Sequence, residues 1–333
     1  MRKLAAIAAL AYLALGQFAQ AQMTVGRDAT ALTTWTGASI KDMGTETSFY
    51  SGVLSYRGPE LVNVWAVGAM DWPLDNPYIG GPPNAITAGF DVLDQRGWTI
   101  GFAASTTYAH AALTNNGDAL VSGVGGTVYA RYERGVGIGD FTFALQSTVD
   151  SLFTNFNRNE ISKGGMLLGN QANVGSWAWT PSAEISYLFT ERWFSHGPVV
   201  GIDTLTTAVN AFSETGSITS RSFTDQDATS VTGHLGYTGK FDFLNLQPFA
   251  SISANYLLSN AGNSVQANFA SGLGPFTSFS SVGKSPFWSF NTQIGTRIFV
   301  TPAITAFVAW NTNYNQDFGP TEQQALVGMS YAF

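Results

Sequence analysis

The chain has no cysteine and little charge: only 11% of its 333 residues are charged, against roughly a quarter in an average soluble domain. The absence of cysteine excludes disulfides, thiolate nucleophiles and every cysteine-ligated metal site, and it suits a compartment outside the cytoplasm. Fifteen Lys and Arg against twenty-two Asp and Glu give a net charge of −7, so no nucleic-acid partner is expected for such a surface. Long apolar runs are also missing. After residue 22 nothing approaches the roughly 18 to 20 uninterrupted apolar residues that a membrane helix needs, which excludes a helical membrane protein and leaves a barrel open.

Glycine and aromatics are abundant, with 36 Gly, 24 Phe, 12 Tyr and 9 Trp, and many Asn, Thr and Ser residues favour strands and turns over helices. The first residues form a leader pattern: Arg2 and Lys3 are basic, Leu4 to Leu15 is apolar, and Ala19-Gln20-Ala21 is a small-x-small cleavage site. Residues 1–21 are therefore expected to be a signal peptide directing export, with the mature chain starting at Gln22.

Beyond the leader the recurring signal is period 2, which puts alternate side chains on opposite faces of a strand. Trp98, Ile100, Phe102, Ala104 and Tyr108 alternate with Thr99, Gly101, Ala103, Ser105 and Thr107. Phe141, Phe143, Leu145 and Val149 oppose Thr142, Ala144, Gln146, Thr148 and Asp150, and Trp288, Phe290, Ile294 and Ile298 oppose Ser289, Asn291, Gln293 and Arg297. Twelve such runs are expected near 61–71, 85–93, 98–108, 122–132, 138–150, 174–187, 199–211, 229–239, 246–257, 287–300, 303–314 and 325–333. The connections alternate: 72–84, 109–121, 151–173, 212–228, 258–286 and 315–324 are long, and the others are short. Long outer loops, short periplasmic turns and aromatics at strand ends are the pattern of an all-β, antiparallel transmembrane β-barrel. Residues 22–59 read as a linker in the lumen, leaving the barrel at 60–333. Leu32 to Ile40 and Phe49 to Arg57 could instead form a hairpin, giving fourteen strands.

Candidate chemistry is sparse. His110, His196 and His234 fall on an outer loop, a periplasmic turn and a luminal strand position, which does not suit a hydrolytic triad. Glu214, Asp225 and Asp227 share a loop but lack the spacing of an EF-hand, so a solvated loop is expected rather than calcium. Gly123 to Gly126 and Gly135 to Gly139 open no helix and read as strand and turn glycines. No cofactor or metal is expected. Asp91, Arg131, Glu184, His234 and Arg297 fall opposite the lipid face and are candidate lumen-lining residues, where a charge avoids the cost of the bilayer midplane.

The last strand, Ala325-Leu326-Val327-Gly328-Met329-Ser330-Tyr331-Ala332-Phe333, ends on Phe with Tyr331, Met329 and Val327 on one face. Asn84 to Leu113 has a Gly-Phe-Asp strand, a tight turn and a Trp-initiated strand, and Gly197 to Gly236 carries Phe212-Ser213-Glu214-Thr215-Gly216. In these features the chain resembles the autotransporter β-domain family, and within it the barrels attached to GDSL-type esterase passengers. The resemblance implies an outer-membrane translocator barrel, with Val327, Met329, Tyr331 and Phe333 as the signal read by the barrel-assembly machinery, and with periplasmic chaperones as further partners; the barrel itself is expected to be a monomer in outer-membrane lipids. No Gly-Asp-Ser-Leu box occurs, so esterase activity does not carry over and no enzyme is expected. A translocator or stand-alone barrel, without a passenger domain, is expected, and a porin-like pore or a loop-presenting adhesin remains the alternative.

Overall fold

A computed structural model describes residues 63–73, 84–95, 97–112, 116–161, 165–261, 264–269, 277–280, 288–315 and 320–332. The expected signal peptide, the segment 22–59 with its alternative hairpin, and Phe333 lie outside the described residues.

Twelve antiparallel strands form the wall: β1 (Asn63–Pro73), β2 (Asn84–Gln95), β3 (Trp98–Ala112), β4 (Asp118–Val136), β5 (Gly139–Ile161), β6 (Leu167–Glu191), β7 (Phe194–Val209), β10 (Gln226–Phe241), β11 (Leu246–Ala261), β14 (Trp288–Phe299), β15 (Ile304–Asn315) and β16 (Pro320–Ala332). They close in the order β1-β16-β15-β14-β11-β10-β7-β6-β5-β4-β3-β2. At the seam Asn63 lies opposite Ala332 and Trp65 opposite Ser330, while the other edge of β1 pairs with β2. Both edges of β1 are thus used, and no ladder edge is left for an extra hairpin. Between β7 and β10 run β8 (Phe212–Ser213) and β9 (Arg221–Phe223), and between β11 and β14 run β12 (Ser264–Phe269) and β13 (Thr277–Ser280); these four make a separate sheet in the order β13-β12-β9-β8.

The two faces follow the period-2 pattern. Phe102, Ile294, Val149 and Val327 are exposed on the outer face, while their neighbours Ala103, Gln293, Thr148 and Leu326 are buried. An outward apolar band is what lipid requires of a closed sheet, whose every backbone group already has a partner within the wall. Aromatics rim both ends of this band. Trp98 packs on Tyr132, and Trp193 on Phe241, at the end with short turns, and Tyr256 packs on Trp288 at the end with long connections.

The strands outrun their expected limits. The stretch 151–173, expected to be a loop, is mostly strand, because β5 and β6 continue as a ladder from Gly139↔Phe189 up to Ile161↔Leu167. A tilted membrane strand needs only about 9–11 residues, so this hairpin stands well clear of the band. Its composition turns polar there because the outer face meets water, while alternate inward residues such as Leu152, Thr154, Phe156 and Arg158 stay buried. Likewise His110 lies within β3 and His196 within β7, rather than in a loop and a turn.

Inside, the half nearer the short turns is packed. Trp65, Val67, Ala103, Tyr129, Phe307, Ala309 and Leu326 form one buried cluster. Wall glycines make room for its rings: a Cβ on Gly89 would lie 2.4 Å from the Trp65 ring, and one on Gly328 2.2 Å from Phe307.

Candidate functional site: the lumen and its outer mouth

The interior of the wall is where the polar side chains converge. Near the short-turn end Trp65 Nε1 donates to the Tyr129 hydroxyl at 3.0 Å, which donates in turn to Asp91 Oδ1 at 2.6 Å. This chain crosses from β1 over β4 to β2. Asp91 is only 2% exposed, so it is a packed group, and its carboxylate is satisfied within the protein, as a buried charge requires. Gly101 lies beneath it, where a Cβ would come within 2.2 Å of the Tyr129 hydroxyl oxygen.

A second group sits on β6, β7 and β10. His234 Nδ1 lies 3.0 Å from Asp203 Oδ2, and its Nε2 lies 3.5 Å from Glu184 Oε2. The ring lies over Gly201, whose Cβ would fall 2.4 Å from it. Both ring nitrogens therefore face carboxylates, which leaves none to take a proton from a serine. Glu184 is half exposed on the inward face, so water reaches the interior here. Arg131 pairs with Glu133 at 3.2 Å on β4, and Arg297 lies over the Phe299 ring at 5.9 Å. The five residues singled out from sequence thus fall into separate places: Asp91 in the packed cluster, Glu184 and His234 together, and Arg131 and Arg297 each with its own neighbour.

The outer mouth holds a group that sequence reading missed. Arg158, on the overhang of β5, donates from Nε and Nη2 to the two oxygens of Glu214 at 2.7 and 2.6 Å, from Nη2 to the Thr219 carbonyl at 3.1 Å, and from Nη1 to Glu160. The Arg221 backbone N–H adds a bond to Glu214 Oε2 at 2.9 Å. Arg158 is fully buried and Glu214 is 2% exposed, which corrects the expectation of a solvated loop. Burial works against the Arg158 charge, but the bonds and charges of Glu214 and Glu160 outweigh it and raise its pKa. Arg221 moves the other way, lowered by burial and by the neighbouring Arg158 charge. Phe212 stacks on Phe223 at 4.4 Å and meets Phe156 edge-on at 6.1 Å beside this network. Asp225 accepts from the Ala211 N–H at 2.6 Å, and among the described residues no group of three or more His, Asp or Glu side chains is arranged to hold a metal.

On the outer face of β16, Val327, Met329 and Tyr331 project outward and are exposed. His110 lies 3.7 Å from Asp118, and His196 is hydrogen-bonded to the Tyr237 hydroxyl, so each histidine has a separate setting.

A closed twelve-stranded barrel with a polar interior and a C-terminal closing strand matches one family model, that of the autotransporter beta-domain, over residues 83–311. The chain belongs to that family. It is an outer-membrane barrel of the translocator type. Among solved structures it is similar to the translocator domain of the autotransporter NalP from Neisseria meningitidis, at a TM-score of 0.66 and 14% identity over 89% of this chain and 97% of that one. The beta domain of the Bordetella autotransporter BrkA superposes at a TM-score of 0.56 and 13% identity, over 82% and 100% of the two chains. At such identities the likeness shows the fold. No curated protein sequence matches the chain.

Proposed function

We propose that residues 1–21 direct export, that the mature protein is a monomeric barrel over 60–333 without catalysis of its own, and that residues 22–59 lead into its lumen so that whatever is attached to them is carried outward. One observation carries this reading: β1 begins at Asn63 beside the end of β16 at Ala332, so the chain before β1 starts at the mouth bounded by short turns, where a guided segment has to enter. Asp91, Arg131, Glu184, His234 and Arg297 act as luminal residues, the first closing the packed half and the others facing the guided segment. The test is a reporter epitope inserted after Gln22. Antibody labelling on intact cells is expected; a reporter confined to the periplasmic side with the barrel folded overturns the reading.

Val327, Met329 and Tyr331, with Phe333, serve as the surface read by the assembly machinery after delivery by periplasmic chaperones. Their outward exposure on a closing strand supports this. Removing Tyr331 to Phe333 should abolish the band that migrates faster unheated than boiled, and an unchanged band would contradict the assignment.

A loop-presenting surface barrel is the second reading, favoured by the outer sheet pinned through Arg158 and Glu214. Under it the reporter stays inside while replacement of residues 212–223 alters binding of the cells to a surface.

A further inference from the structure

On the outward face of the wall, where the apolar band gives way to the β5–β6 overhang, an open hollow of about 450 Å³ crosses four strands. The ladder register builds it from two adjacent rows. In the lower row Tyr108 on β3 lies opposite Ser122 on β4, Ser122 opposite Phe153 on β5, and Phe153 opposite Gly175 on β6. In the next row toward the long connections, Leu120, Asn155 and Asn173 stand opposite one another in the same succession. Directly opposed residues have Cβ atoms about 4.5–5.5 Å apart, so these side chains form one small surface at one height. Tyr108 and Phe153 are 53% and 65% exposed, and the small residues on either side of Phe153 leave its ring uncovered.

The surroundings change across these rows. Below them the large outward residues are apolar, among them Val124, Val149 and Trp177. Above them β4, β5 and β6 present Asp118, Asn157 and Gln171. Asn157 already donates to Asp118 at 3.0 Å, whereas the exposed carboxamides of Asn155 and Asn173 make no hydrogen bond among the described residues. No lysine or arginine stands in these rows, and their histidine, His110 opposite Leu120, lies 3.7 Å from Asp118.

This chemistry selects among headgroups. A phosphate only accepts hydrogen bonds and is held best by a cation, which the rows lack. A carboxamide both donates and accepts, and so does a hydroxyl, so a ring of hydroxyls matches Asn155 and Asn173 in both senses. A sugar ring also has a C–H face that lies flat on an aromatic ring. We propose that the hollow binds the uncharged sugar headgroup of a glycolipid in the outer leaflet. Its ring rests on Phe153 beside Tyr108, its hydroxyls exchange hydrogen bonds with Asn155 and Asn173, and its acyl chains run down the band over Val124 and Val149. Because the hollow is continuous with the lipid-facing band, it takes a sugar carried by a lipid rather than a free one. The site belongs to the outer face of the barrel and does not depend on what passes through the lumen.

Native mass spectrometry of the mature protein, released from micelles of a sugar-free polyoxyethylene detergent, tests it with three probes of identical acyl chains: diglucosyl-diacylglycerol, phosphatidylglycerol and phosphatidylethanolamine. The glucolipid should be retained about fivefold or more above the other two, the equivalent of one net hydrogen bond. Asn155→Ala combined with Asn173→Ala should remove that preference, and so should Phe153→Ala, while Val308→Ala on the outward face of β15 keeps it. Equal retention of the three lipids, stronger retention of phosphatidylglycerol, or a preference indifferent to both sets of substitutions overturns the proposal. Free maltose that displaces the glucolipid at equal concentration also overturns it, since the site would then take sugar without the lipid. Should the double variant not give the folded gel band, Phe153→Ala decides alone.

Discussion

A single added methyl group distinguishes the two faces of this wall. Gly101 faces inward, and a Cβ there would lie 2.2 Å from the Tyr129 hydroxyl and 2.5 Å from the Phe90 carbonyl oxygen. Gly101→Ala must displace Tyr129, and Asp91 then loses its 2.6 Å donor while still buried. A loss of about 1–3 kcal/mol is expected for the hydrogen bond lost by this buried carboxylate, read from urea unfolding in lipid vesicles. Gly126 faces outward with nothing within 4 Å of its would-be Cβ, so Gly126→Ala should change little. The same contrast holds for charge. Phe102, 44% exposed on the lipid face, should cost about 2–4 kcal/mol when replaced by Arg if it lies near the midplane, whereas Gln293→Arg on the inner face should cost far less. Similar losses at both positions in the unfolding assay would contradict the assignment of faces.

Strands were legible in the sequence wherever lipid on one side and lumen on the other imposed alternation, as at Trp98 to Tyr108 and Trp288 to Val300. Strand ends were not. Past Ser151 both faces of β5 carry polar residues, and Asn155, Asn157, Arg158 and Glu160 read as loop although the ladder runs on to Ile161. The period-2 signal reports a difference between two environments, and it fades where the outer face meets water. The mouth network was illegible for another reason: Arg158 and Glu214 lie far apart in sequence, and β8 and β9 are only two and three residues long. Nothing local marks Glu214 as buried, and only the return of the β7–β10 connection against the β5 overhang makes it so. Arg158→Ala should therefore cost about 3–5 kcal/mol, because Glu160 and Glu214 would be left as buried charges without their counter-ion. The loss should fall on the outer sheet. Proteolysis of the 212–223 segment in intact vesicles is expected to rise, with the heat-modifiable band retained; a segment as resistant as in the parent protein would show that the ion pair is not what holds it.

For the whole molecule, closure and filling are separable. The described wall from Asn63 to Ala332 closes on itself because β1 has a partner on each edge, so its ladder is complete without residues 23–58. Had these residues formed two further strands, removing them would expose two edges to lipid, which cannot satisfy the freed backbone groups, and the barrel would fail to form. With twelve strands already closed, their deletion should leave the heat-modifiable band intact. Its effect on the lumen follows from the distribution of packing. The cluster around Trp65, Tyr129 and Phe307 packs the half near the short turns, and Leu152, Phe156 and Arg158 are buried inward toward the long connections. If residues 23–58 run through the lumen, single-channel conductance in planar bilayers should rise on deletion, while Trp65→Ala should raise it in the parent chain only modestly. An unchanged conductance with the barrel folded would place the segment outside the lumen, and cysteines introduced one at a time from Thr30 to Arg57 would then label from the bulk rather than from within the pore.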